Sequence, residues 1–139
     1  MKTIYGVGAV VFRLQTNQTI EILLIRKRKG FWSLPKGKIR SNEPSIKAIV
    51  REVYEETHVT AEVIDLIGSI DYLINTPQGQ QRKIVDYYLL RAIKGRARPA
   101  GGKEQIVAAE WVSLAEAIER IQRPRLRAIV RAAQSWFSC

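Results

Sequence analysis

The stretch from Gly37 to Val59, GKIRSNEPSIKAIVREVYEETHV, constrains the fold and chemistry of this chain more than any other segment. Apolar residues recur in it with the period of a helix, on one arc of the helical wheel: Ile46, Ile49, Val50 and Val53. Three acidic residues fall on the neighbouring arc: Glu52, Glu55 and Glu56. The pattern predicts a helix over residues 44–57 with one face for a core and one acidic face.

The acidic face raises an electrostatic problem that a metal ion would solve. Carboxylates three or four residues apart on a helix repel each other, at a cost of roughly 0.2–0.5 kcal/mol per pair. A divalent cation reverses that sign, and Mg²⁺ is usually held by one or two carboxylates together with substrate phosphates. A solvated acidic surface explains the same three glutamates, so the helix alone leaves both interpretations open.

The spacing around these glutamates is more specific than their number. Gly37 is followed after five residues by Glu43, and after seven more by Arg51-Glu52-Val53-Tyr54-Glu55-Glu56. This arrangement resembles the Nudix box, the signature of the Nudix hydrolase family. The resemblance implies an α/β fold, an α/β/α sandwich with a mixed β-sheet, and hydrolysis of diphosphate linkages with Mg²⁺, for which Mn²⁺ can substitute.

One position departs from the family motif, because His58 stands where the motif has glycine. Glycine there suits a left-handed turn after the helix. Histidine is among the non-glycine residues that tolerate a positive φ, at a cost of roughly 1–2 kcal/mol. We therefore expect the turn, and with it the position of the glutamates, to be retained.

The resemblance also implies metal ligands and catalytic groups. Glu52 and Glu56 are expected to hold Mg²⁺, while Glu55 or Glu104 shares a second ion or takes a proton from the attacking water. An ordinary surface carboxylate is the alternative for Glu104, and Glu110 is expected to face solvent. The backbone carbonyl of Lys36 is expected to complete the metal shell.

Arg51 lies about 100° from the centre of the glutamate cluster on the helical wheel, so its predicted role is indirect. We expect its guanidinium to orient Glu52 or Glu43 through charge-assisted hydrogen bonds. Glu43 is expected to secure the loop and the helix instead of binding metal.

The loop Trp32-Ser33-Leu34-Pro35-Lys36-Gly37-Lys38 resembles the segment that enters the Nudix box in relatives acting on dinucleoside polyphosphates, diphosphoinositol phosphates or nucleoside triphosphates. By that resemblance the Lys38 ammonium contacts phosphate. Glycine at position 37 lets the backbone approach a ligand closely.

The formal net charge of +10 favours an anionic partner, since a basic surface concentrates polyanions. The cations form two blocks: Arg26, Lys27, Arg28, Lys29, Lys36, Lys38 and Arg40, then Arg120, Arg123, Arg125, Arg127 and Arg131. The first block, including Lys36, Lys38 and Arg28, is predicted to bind substrate phosphates. The second is either a solvated surface or a contact for nucleic acid.

Several aromatic residues are candidates to stack a nucleobase: Trp32, Tyr72, Tyr87 and Tyr88. Tyr87 and Tyr88 are successive in a predicted strand and face opposite sides of the sheet, so only one of them lines a pocket. We assign Tyr87 to substrate binding, with a core position as the alternative.

A small-molecule polyphosphate is the predicted substrate, with a dinucleoside polyphosphate such as diadenosine tetra- or hexaphosphate preferred. A nucleoside triphosphate, including oxidised ones, is second. A non-catalytic nucleotide- or RNA-binding module and an RNA-end hydrolase are further alternatives. The three retained glutamates disfavour the pure binder, because it has no need for repelling carboxylates.

The rest of the chain predicts a single domain over residues 1–139, near the modal domain size. Two strand hairpins are expected, over residues 3–14 with 20–28 and over 60–74 with 81–92. A short strand over 106–112 precedes a helix to about residue 122 and a last helix over 125–137. The lone Cys139 excludes an intramolecular disulfide, and no apolar stretch approaches a membrane span. We expect a cytoplasmic protein, either a monomer or a homodimer.

Overall fold

The architecture is a seven-stranded mixed β-sheet between helices, in a computed structural model that describes residues 2–102 and 105–137. The strands are β1 (Thr3–Leu14), β2 (Ile20–Lys27), β3 (Trp32–Ser33), β4 (Lys36–Lys38), β5 (Thr60–Thr76), β6 (Gly79–Lys94) and β7 (Ile106–Ser113). The helices are α1 (Ser45–Thr57), α2 (Leu114–Arg120) and α3 (Pro124–Ala133), and a 3₁₀ turn, Gln134–Trp136, follows α3. The predicted α/β/α sandwich with a mixed sheet is confirmed.

Strand β1 lies at the centre of the sheet and organises the site. The order of the main path is β3-β2-β1-β6-β5, with β7 paired to β2 and β4 paired to β1. β1 runs antiparallel to β2 and β4 and parallel to β6. Because β4 pairs through Lys36–Lys38 with Gly6–Gly8, the loop before α1 is fixed to the middle of the sheet.

The side chains of β1 alternate between the two hydrophobic cores, one on each face of the sheet. Val7, Ala9 and Val11 are buried in the cluster that α1 covers through Ala48, Ile49 and Val53. Val10 belongs to the opposite cluster, which α2 and α3 cover with Ala117, Leu126, Ile129 and Val130. Successive side chains of a strand point to opposite faces, so one strand serves both layers. None of the helices in the described ranges has the length and apolar character to cross a membrane.

Several predicted boundaries are corrected by the structure. The loop over 32–38 contains the short strands β3 and β4, and the second hairpin is longer than predicted, with its turn between Thr76 and Gly79. Helix α1 begins at Ser45, and extended Pro44 is its N-cap. Pro124 does not precede α3 but is its first residue, where a missing N–H and a fixed φ suit a helix.

The left-handed turn after α1 is retained without glycine. His58 has φ 65° and ψ 16°, and its N–H donates to the Tyr54 carbonyl. That hydrogen bond is 2.8 Å long. Histidine therefore closes the helix in the way expected of the motif glycine.

Replacing His58 tests the cost of this conformation. His58→Val should lower the free energy of unfolding by about 1–2 kcal/mol, because a β-branched side chain is poorly tolerated at positive φ. His58→Gly should leave that free energy higher than in His58→Val. Urea unfolding of the three proteins checks the order, and an equally stable valine variant would contradict it.

Candidate active site

Two of the three glutamates on α1 are buried beside strand β4. Glu56 is 1% exposed and Glu52 is 9% exposed. The backbone N–H of Lys36 donates to Glu56 Oε1 at 3.1 Å. The Glu55 side chain is 44% exposed. The acidic face therefore presents Glu52 and Glu56 inward and Glu55 toward solvent.

Glycine at position 37 makes room for the Glu52 carboxylate. A Cβ at Gly37 would lie 2.0 Å from Glu52 Cδ and 2.1 Å from Glu52 Oε2, well inside any real contact. Gly37 pairs with Val7 of β1, so its backbone cannot easily retreat. The close approach expected of this glycine is thus made by a glutamate of the same chain.

Arg51 connects the carboxylates to one another. Its Nε and Nη2 donate to the two carboxylate oxygens of Glu43, at 2.8 and 2.9 Å. Its Nη1 donates to Oε1 of Glu52 at 2.7 Å and to Oε1 of Glu55 at 3.1 Å. Nη2 also donates to the Lys38 carbonyl at 2.9 Å. One guanidinium therefore holds α1, the preceding loop and β4 in a single arrangement.

A basic cleft of about 340 Å³ adjoins Glu52. Its lining residues come from β2, β4, α1 and β6: Lys27, Lys36, Gly37, Lys38, Glu52, Lys83 and Val85. Four lysines around a cleft that a buried glutamate also lines suit a ligand that carries several negative charges. Lys27, Lys36 and Lys38 belong to the first basic block of the sequence, while Lys83 was missed.

Lys36 also lines two further clefts. One, of about 130 Å³, includes Phe31, Glu56 and Arg123. The other, of about 220 Å³, includes Tyr72, Tyr87 and Arg123. Burial and the nearby cations Arg123 and Lys27 lower the pKa of Lys36, while Glu56 opposes that shift. Lys36 is thus the residue at which all three clefts meet.

The arrangement on α1 and β4 agrees with the family suggested by the motif. The family model described as NUDIX domain matches residues 2–133 of the chain. The chain belongs to the NUDIX family. One similar protein, 26% identical over 84% of this chain and 42% of its own length, is named Nudix hydrolase 7 of Arabidopsis thaliana.

This chain is similar to two proteins named as phosphatases and to one solved structure of a hydrolase. An 8-oxo-(d)GTP phosphatase of Mycolicibacterium smegmatis is 32% identical over 93% of this chain and 41% of its own length. A bis(5'-nucleosyl)-tetraphosphatase (asymmetrical) of Mus musculus is 28% identical over 94% of this chain and 92% of its own. The crystal structure of a MutT NUDIX hydrolase from Burkholderia pseudomallei superposes with a TM-score of 0.71 and 25% identity, covering 95% and 98% of the two chains. The chain spans about two fifths of the mycobacterial relative.

Members of the Nudix family generally use a divalent metal, and the donor set here fits one. No three acidic, histidine or cysteine side chains converge as metal ligands within residues 2–102 and 105–137. Two buried carboxylates, Glu52 and Glu56, suffice for Mg²⁺, which commonly takes its remaining ligands from water and substrate phosphate. The space that Gly37 leaves for Glu52 supports the same conclusion. Glu104 lies outside the described residues, so its role stays a prediction.

Of the other predicted substrate contacts, Tyr87 lines one of the clefts around Lys36 and Arg28 does not. Tyr87 is 2% exposed and forms a wall of the cleft it shares with Tyr72. Burial raises its pKa, and its ring fills the space a Cβ would occupy at Gly8. Arg28 is exposed and is not among the residues lining the three clefts around Lys36. Its backbone N–H donates to the Gln105 carbonyl at 3.1 Å.

The hydrogen bonds between Arg51 and Glu43 should make the free energy of unfolding depend on pH. Hydrogen bonding to Arg51, helped by the Arg40 N–H, lowers the pKa of Glu43 from 4.5 to about 2. A lowered folded-state pKa contributes stability above the unfolded value, and that contribution is lost as the pH falls toward 2. Urea unfolding of wild type and Glu43→Gln should therefore differ most near neutrality and converge between about pH 4.5 and 2. A difference independent of pH would contradict this assignment.

Proposed function

We propose that this Nudix domain is a Mg²⁺-dependent hydrolase that cleaves a diphosphate linkage in nucleoside polyphosphates. The observation that carries the proposal is the meeting of buried Glu52 with four lysines around one cleft, with buried Glu56 on the other side of Lys36. The lysines attract the phosphates, and the carboxylates provide ligands for a cation. A surface built only for solubility has no reason to bury two glutamates there.

The proposed ligands of the cation are Glu52 and Glu56, with the exposed Glu55 and the Lys36 carbonyl as further donors. When bound, a divalent cation polarises phosphoryl oxygens and neutralises the charge that develops on the leaving phosphate. Glu55 or Glu104 would take the proton of the attacking water. Arg51 would act as a positioning residue, since it already donates to Glu52 and Glu55.

The lysines would hold the substrate's phosphates along the cleft. Lys38 and Lys83 line only the side that contains Glu52, whereas Lys36 reaches the clefts on both sides. A phosphate chain that crosses Lys36 would lie beside both buried carboxylates. Each contact between an ammonium group and a phosphate is a charge-assisted hydrogen bond.

A dinucleoside polyphosphate is the substrate we favour. The mouse tetraphosphatase, which aligns along most of both chains, supports this choice. So do the three clefts that meet at Lys36, which leave space for phosphates on more than one side of this residue. Nucleoside triphosphates, including oxidised ones, are the second candidate, supported by the mycobacterial 8-oxo-(d)GTP phosphatase.

The five arginines of the second basic block are the residues that would contact RNA if RNA were the ligand. Arg120 donates to Glu116 and Glu110, Arg125 to the Asp71 carbonyl, and Arg127 to the Ile121 carbonyl. These contacts give three of the five arginines roles within the chain. If RNA were the ligand, its affinity would fall steeply with salt, because each neutralised phosphate releases counterions. We expect a shallow salt dependence.

Turnover of a substrate panel tests the proposal. The panel contains diadenosine tetra- and hexaphosphate, nucleoside triphosphates with their 8-oxo forms, nucleotide sugars and triphosphorylated RNA. We expect the highest kcat/KM for a dinucleoside polyphosphate. A higher value for the 8-oxo triphosphates would replace the first candidate with the second, and selective turnover of RNA would contradict both.

A further inference from the structure

An exposed aromatic ring stands at the mouth of the cleft that contains Glu56. Phe31 is 53% exposed and lines this cleft together with Lys36 and Arg123. The Arg123 guanidinium carbon lies 5.9 Å from the centre of the ring. A ring so exposed contributes little to the core, yet it is placed beside two cations and a buried carboxylate.

The connection between β2 and β3 fixes the position of Phe31. β3 pairs with β2 through Trp32 with Arg26 and Ser33 with Ile25. Within the turn, the Gly30 N–H donates to the Lys27 carbonyl at 3.1 Å. A short hairpin therefore places the ring next to the cleft.

The aromatic residues that the sequence suggested for stacking are less available. Trp32 packs against the core, and Arg26 and Arg120 lie over its ring. Tyr87 is buried, and Tyr88 packs against the cluster beneath α1. Tyr72 is half-buried in the neighbouring cleft. Phe31 has a larger exposed fraction than any of these four residues.

We propose that Phe31 stacks the base of a nucleotide whose phosphates contact Lys36 and Arg123. Every nucleobase has a π-face, so such a ring favours nucleotides without selecting one base. Polyphosphates that lack an aromatic group, such as diphosphoinositol phosphates, would gain nothing from Phe31. The inference rests on the proposed function for the class of substrate, but the binding step can be tested without catalysis.

Equilibrium binding with chelator present isolates this step. Calorimetric titration with ADP and with inorganic pyrophosphate compares a ligand that carries a base with one that does not. Phe31→Leu should weaken ADP binding by roughly 5- to 150-fold, the range expected for one stacked base. Pyrophosphate binding should not change, and Phe31→Trp should retain the affinity for ADP.

Tyr5→Leu is the matched control, because Tyr5 is 59% exposed and does not line the clefts around Lys36. It should leave binding of both ligands unchanged. Unaltered ADP affinity in Phe31→Leu would overturn the proposal. An equal loss for ADP and pyrophosphate would also overturn it, because Phe31 would then only support Arg123. Absence of turnover on every polyphosphate would instead contradict the hydrolase function, whatever the binding results.

Discussion

Glu56→Gln is expected to reduce kcat by at least about 100-fold. Even the loss of an outer partner in a metal site commonly costs 10- to 100-fold, and Glu56 is proposed as a direct ligand. Glutamine keeps the size of the side chain and an oxygen that can accept from the Lys36 N–H, so the fold should be retained. Turnover of diadenosine tetraphosphate measures the loss of kcat. Mn²⁺ titration followed by electron paramagnetic resonance measures the loss of metal affinity separately.

Glu119→Gln is the control for this experiment. It removes the same charge from an exposed position on α2, away from the clefts around Lys36. We expect its turnover and Mn²⁺ affinity to match wild type. If Glu56→Gln retained full turnover, Glu56 could not be a metal ligand in the reaction.

Gly37→Ala is expected to lower kcat/KM by about 100-fold, because a displacement of about 1 Å in a catalytic group can cost that much. The new methyl group would overlap Glu52 Cδ, so the carboxylate must leave its position. Overpacking of this kind also costs about 1–3 kcal/mol of stability. The kinetics of diadenosine tetraphosphate hydrolysis and a urea unfolding curve give both quantities.

Gly68→Ala separates this effect from a general cost of replacing glycine. A Cβ at Gly68 would meet only Ile129 Cδ1, at the ordinary contact distance of 3.6 Å. Its kcat/KM should equal that of wild type. Wild-type kinetics in Gly37→Ala would show that the position of Glu52 does not matter for turnover.

Helix α1 could be predicted from sequence because its determinants are local. The apolar period over residues 46–53 and the neighbouring glutamates lie within four helical turns. Ile49, Val50 and Val53 pack in the core as predicted, but Ile46, at the start of the helix, is 55% exposed, so its place on the apolar face was predicted wrongly. The indirect placement of Arg51 follows from the same wheel, and its guanidinium donates to both carboxylates expected, Glu43 and Glu52. Local periodicity was therefore enough to predict the helix and its acidic face.

The remaining lining of the clefts depends on contacts between distant segments. Lys83 reaches the cleft because β6 runs parallel to β1, and Arg123 arrives from the start of α3. No sequence pattern predicts that Lys83 or Arg123 lines these clefts. Strands β3 and β4 are two and three residues long and exist through pairing with β2 and β1, so they left no local pattern.

For the aromatic residues, too, the sequence predicted which face of the sheet they occupy but not how exposed they are. Alternation in β6 correctly separated Tyr87 from Tyr88, because the two rings belong to opposite faces of the sheet. It could not show that Tyr87 would be 2% exposed or that Phe31 would remain open. Those properties depend on how α3 and the β2–β3 turn cover the sheet.

The most direct test of the central claim is the release of products from diadenosine tetraphosphate by wild-type protein, followed chromatographically with Mg²⁺ and then with excess chelator. We predict turnover in Mg²⁺, none in chelator, and recovery when Mg²⁺ is restored. Folded protein that releases no product in Mg²⁺ from this substrate or from nucleoside triphosphates, or turnover that persists in chelator, would contradict the account.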